Sequence, residues 1–260
     1  MVLLELKKIK RTGLIPAFLM GGLLAAGVPV LNMFFRSDIY LSLPDTPLQI
    51  LLKSNWQMMA MLNILLIISG ACLMYYSEFL DNAIQKMKSL PIKESNIYLW
   101  KAAILASMYL IVLVIEAGIL SFIISYWFSF YPNFEIELLK NFGFLFLMGL
   151  PSILLALLIA SLFKNMWFSL GIGVVAVFMG TVLSSQSFIL SLFPFAMPLQ
   201  TLGEVDSNQV VIYIYVALIE ITIIALVAVS YTHLRAHETC AELVCRLLLE
   251  KKKGGGGGGG

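Results

Sequence analysis

Charge is scarce in this sequence. Asp, Glu, Lys and Arg make up 12% of its 260 residues, where a soluble domain carries roughly a quarter. The 17 basic and 15 acidic side chains are too few to clothe a soluble fold of this length. A net charge of +2 gives no basic face for nucleic acid. A disordered chain needs high charge and low hydrophobicity, the reverse of this composition. Three cysteines do not make a disulfide framework. What is abundant is apolar, 60% of the residues. The class left is a polytopic, all-α membrane protein.

The last thirty residues break with this pattern. Residues 231–260 read YTHLRAHETCAELVCRLLLEKKKGGGGGGG and hold both histidines, His233 and His237, with Cys240 and Cys245. Their spacing fits no usual zinc finger or ribbon. The stretch Val229–Thr239 resembles a translated sequencing-library adapter, and Leu243–Glu250 a second one. Lys251–Lys253 match a poly-A read and Gly254–Gly260 a poly-G read. The genuine chain is therefore expected over residues 1–228, cut near Ala228 just before its own end. Residues 229–260 are expected to be a non-native tail, disordered or a spurious extension of the last helix. Without them the chain has twelve basic and twelve acidic residues, no histidine, and one cysteine, Cys72. That leaves no metal site and no catalytic constellation to propose.

Six stretches are long and apolar enough to span a bilayer. They cover 13–35, about 56–77, about 102–128, about 139–163, about 166–184 and about 209–228. Pro151 is expected to kink the fourth. The 185–200 stretch is apolar but broken by Pro194 and Pro198, which suits a short outer-leaflet or re-entrant element. Loop charge sets the orientation. Lys7, Lys8, Lys10, Arg11, Lys86, Lys88, Lys93, Lys101 and Lys164 fall on one side, against Arg36, Lys53 and Lys140 on the other. Nine against three places both termini in the cytoplasm. The segment before the first span is amphipathic, with Leu3, Leu6 and Ile9 able to share a helical face. Lys7, Lys8, Lys10 and Arg11 would then meet lipid headgroups as an interfacial helix. A plain positive-inside anchor is the equal alternative.

The longest cytoplasmic connection reads EFLDNAIQKMKSLPIKESNIYLWK over residues 78–101. Phe79, Ala83, Met87 and Leu90 recur on one helical face, and Pro91 ends that helix at the residue before it. An apolar face on a cytoplasmic elbow either meets a partner or lies on the membrane surface.

This elbow resembles the coupling-helix region of ABC-2 exporter permeases. The matching features are Glu78 closing the second span, the 79–90 helix with Lys86, the Leu90-Pro91 turn and Lys101 opening the third span. The basic stretch Glu5–Arg11 and the six-span plan agree with it. The branch most similar is the permease subunit of lantibiotic-immunity transporters. The resemblance implies a permease that is not an enzyme and has no nucleotide site; accordingly no G-x-x-x-x-G-K-[ST] loop occurs. It also implies a cytosolic ABC ATPase carrying ATP and Mg, docked on 78–101. A second permease copy or a related permease, a membrane-active peptide or similar hydrophobic cargo, and the bacterial plasma membrane complete the expectation. No cofactor of its own and no nucleic-acid partner are implied.

Among the polar residues inside the spans, Asn63, Glu116 and Glu220 stand out. An intramembrane carboxylate is a functional candidate by default, here as a transport-pathway or interface group. Hydrogen-bonded packing between helices is the structural alternative. A proton-coupled secondary transporter using Glu116 and Glu220 is the competing function. It would be expected to show internal repeats, and none is clear in this sequence.

The charge asymmetry predicts that a thiol-labelling reagent added outside intact cells reaches a cysteine at Ser42. A cysteine at Lys88 should be labelled only after permeabilisation. The opposite pattern would invert the topology.

Overall fold

A computed structural model describes residues 13–79, 94–163 and 165–254, with side chains described at these positions except 94, 95 and 231–254. The described residues form six helices. These are α1 (Leu14–Leu41), α2 (Pro47–Phe79), α3 (Glu94–Trp127), α4 (Phe134–Leu162), α5 (Met166–Gln186) and α6 (Ser207–Gly254). Two single 3-10 turns, Leu190–Leu192 and Met197–Leu199, lie between α5 and α6. No strand occurs among the described residues. All six helices contain a stretch long and apolar enough to cross a membrane, beginning at Asn96 in α3 and ending at Ser230 in α6.

The helices overrun the hydrophobic stretches where polar side chains find partners. Gly13 opens α1 in the left-handed region, with φ 71°, a conformation glycine adopts without penalty. The backbone of α1 leaves helical geometry at Arg36 (φ −137°, ψ 28°), and a further short helical stretch continues to Leu41. Apolar length alone places the second span from about 56, but α2 starts at Pro47, a residue pre-set for the first helical position. Its first turns carry Gln49, Lys53 and Asn55, which hydropathy reads as loop. Lys53 pairs with Asp45 at 2.8 Å, and the buried Asn55 accepts a hydrogen bond from Asn32 of α1. Helix α4 continues through Pro151. Helix α6 is 48 residues long, about 72 Å at 1.5 Å per residue, far more than a bilayer core needs.

Helix α2 is the centre of the array. It packs against α1, α3, α4, α5 and the second 3-10 turn, while α6 lies on α3 and α4. Small residues set the close approaches. A Cβ on Gly21 would fall 2.4 Å from Leu66 of α2, and one on Gly22 would fall 3.2 Å from Val112 of α3. Ala25 and Ala26 are fully buried beside them. The small-residue face of α1 is therefore an intrasubunit packing face. The outward faces of α1, α5 and α6 carry exposed Leu, Ile, Val and Phe, as lipid-facing helices do.

The 187–206 connection turns back into the array. Phe195, Ala196 and Met197 have no exposed surface. Trp56 Nε1 donates to Pro198 O at 2.8 Å, and Ser152 Oγ donates to Pro194 O. Ser152 lies about 27 Å along α4 from its first residue, so Pro194 sits deep. Irregular backbone is tolerated at such depth only when protein surrounds it. Gly180 of α5 makes room for it: a Cβ there would meet Phe195 O at 2.7 Å.

Gly180→Ala should therefore displace the turn and cost about 1–3 kcal/mol, read as a lower unfolding midpoint in detergent. Gly171→Ala, whose Cβ would meet nothing within 4 Å, is the control and should leave the midpoint unchanged.

Candidate coupling site and intramembrane polar residues

Glu78 stands one residue from the end of α2, where the helix dipole presents its negative pole. Lys101 stands two turns into α3. Their side chains meet in a buried ion pair, Nζ to Oε1 3.0 Å, with 2% and 6% side-chain exposure. The same ammonium donates to Met74 O at 3.0 Å and sits 4.8 Å above the Tyr75 ring. Lys101 thus answers an acid, a carbonyl near the end of α2 and a π face together. The consequence is positional. The pair closes the base of the α2–α3 hairpin from which residues 80–93 depart.

Phe79 packs against the core beside this pair. Between α2, α4 and α5 the same end brings together Cys72, Tyr76, Phe79, Phe163, Met166 and Ser169. Of the other residues expected at the coupling elbow, Ala83, Lys86, Met87, Leu90 and Pro91 lie outside the described residues. So do Lys7, Lys8, Lys10 and Arg11 of the N-terminal segment.

Within the membrane, Asn63 and Glu116 come together. Asn63 Nδ2 donates to Glu116 Oε2 at 3.2 Å, linking α2 to α3. Glu220 is separate from this bond. It lies on the stripe of α6 that also carries the buried Tyr213 and Ala217. Its Oε2 is enclosed and has no hydrogen-bond partner among the described residues. Two tyrosines tie α3 to α4: Tyr98 donates to Leu154 O at 2.8 Å and Tyr109 to Leu145 O at 3.3 Å.

One polar node has no counterpart in the sequence reading. At the other end of the array, Glu137 of α4 accepts from Thr46 Oγ1 and Gln49 Nε2, each at 3.2 Å, and from the Tyr131 hydroxyl at 2.6 Å. Burial first, and then the bond to Glu137, hold the Tyr131 phenol above its usual range. Thr46 and Gln49 are 91 and 88 residues from Glu137, so no local pattern announces the node.

These features define a multi-pass helical membrane protein whose second and third helices are joined at one end by a buried ion pair. Residues 1–180 match the family of the ABC-2 family transporter protein, and the chain belongs to that family. It is accordingly the transmembrane permease component of an ABC transporter, a multi-pass protein of the bacterial plasma membrane, with an ABC ATPase as its partner. Comparison with curated proteins and with solved structures gives no match.

Breaking a buried pair from one side leaves an uncompensated charge and costs about 3–5 kcal/mol. Lys101→Met or Glu78→Leu alone should therefore lower the unfolding midpoint sharply. The double variant should lose less than the sum of the two, measured by thermal unfolding in detergent.

Proposed function

We propose that this permease serves an exporter that expels a membrane-active peptide of the lantibiotic class, or a similar hydrophobic compound, from the bilayer. In this reading the 79–90 segment is the coupling helix, seated in a groove of the cytosolic ATPase. ATP-driven closure of two ATPases pushes on two such elbows. Each push enters the base of α2 and α3 together, because Glu78 and Lys101 bind those two bases to one another. That pair is the observation supporting the reading, since it makes the elbow part of a stiff hairpin. The second permease is a further copy or a related chain. The buried 193–199 turn region acts as the outer gate, and Glu220 is the candidate pathway group. Residues beyond about 228 take no part.

The test is co-expression with the ABC ATPase expected to be encoded beside this gene, in a lantibiotic-sensitive host. The two proteins should co-purify. The permease should stimulate ATP hydrolysis, and the cells should survive a lantibiotic dose that kills the host alone. Replacing Leu90-Pro91 by Gly-Gly should abolish stimulation and protection, whereas a chain ending at Ala228 should retain both. Protection that persists without the elbow would end the coupling assignment. Stimulated ATPase with no protection would end the lantibiotic assignment alone.

A further inference from the structure

Asn63 and Glu116 are almost fully enclosed, with 2% and 0% exposure. Glu116 lies about 22 Å along α3 from Lys101, too deep for its carboxyl to reach an interface. One hydrogen bond joins the two side chains, from Asn63 Nδ2 to Glu116 Oε2 at 3.2 Å. Two oxygens are left over, Asn63 Oδ1 and Glu116 Oε1. Both are enclosed and neither meets a donor among the described residues. The Tyr109 hydroxyl is committed to Leu145 O.

The shortfall is one donor hydrogen, on two groups already bonded to each other. A carboxylate is acceptor-only, but a carboxylic acid presents one donor and one acceptor. A primary amide presents the complementary set in one plane. A single hydrogen on Glu116 therefore satisfies both leftover oxygens at once.

We propose that Asn63 and Glu116 form a reciprocal acid–amide pair, with the Glu116 hydroxyl donating to Asn63 Oδ1, and that this pair fastens α2 to α3 within the membrane. It does not present a charge to cargo. The α2–α3 hairpin is then joined at two depths, by a neutral pair inside the bilayer and by the Glu78–Lys101 ion pair at its base. The pair stands on the contacts of Asn63 and Glu116 and does not depend on which cargo is carried.

The test uses the full permease co-expressed with its ATPase. Glu116→Gln replaces the acid–amide pair by an amide–amide pair with the same reciprocal bonds. It should assemble and export within about twofold of the wild type. The exchange variant Asn63→Asp with Glu116→Gln moves the acid to α2 and should behave alike. Asn63→Leu and Glu116→Leu each strand one partner and should reduce assembled complex about tenfold or more. Infrared spectra of wild-type membranes should show a C=O stretch of an un-ionised carboxylic acid that Glu116→Gln removes. A Glu116→Gln protein that assembles and stimulates ATPase but does not export would overturn the proposal in favour of a pathway charge. Absence of the un-ionised acid band would overturn it as well. Failure of the wild type to stimulate ATPase would bear on the coupling assignment and not on this pair.

Discussion

Hydrocarbon offers no hydrogen bonds, and this constraint organises the molecule. Every polar group inside the spans must find a partner in the protein or stand unsatisfied at a cost of about 1–3 kcal/mol. Helix α2 carries several of the polar side chains that meet this demand, and it packs against four of the other five helices. Its partners lie at successive depths: Glu137 for Gln49, Asn32 for Asn55, Pro198 for Trp56, Glu116 for Asn63 and Lys101 for Glu78. Apolar packing between helices resembles apolar packing against lipid, so it selects partners weakly. The polar contacts select them strongly.

A mechanical division follows. Helices α2 and α3 are joined at their base and again within the membrane. At the opposite end α2 is held to α4 through Glu137, and the 193–199 turns are held to α2 and α4 through Trp56 and Ser152. Helices α5 and α6 are the least buried of the six, with 22% and 11% of their apolar windows enclosed. They therefore have the most surface to offer lipid or a neighbouring chain.

Much of the fold was legible in the sequence because hydropathy is a local sum. The six spans follow from apolar runs of about 20 residues, and the expected end of the first span, Phe35, falls one residue before Arg36, where the helix bends. The start of α2 was not legible. Gln49, Lys53 and Asn55 look like loop residues until Glu137, Asp45 and Asn32 are beside them. Of the candidate site, Glu78 and Lys101 follow from the resemblance to the ABC-2 coupling-helix region, and the structure adds that they touch. Asn63, Glu116 and Glu220 were named alike, as polar residues in apolar runs. The structure separates them, bonding the first two and leaving Glu220 on another helix.

The sequence by itself determined the class of protein and the number of spans. These quantities depend on residue type and order along one dimension. The tertiary structure decided which polar groups meet. A side chain's partner depends on the rotation of its helix about its axis and on which helix lies alongside. Neither is encoded locally, since the decisive pairs are 23 to 142 residues apart. Glu137 shows the difference most plainly. In the sequence it is one acid in the first turn of a helix; in the structure it gathers donors from three separate positions to hold one end of α2.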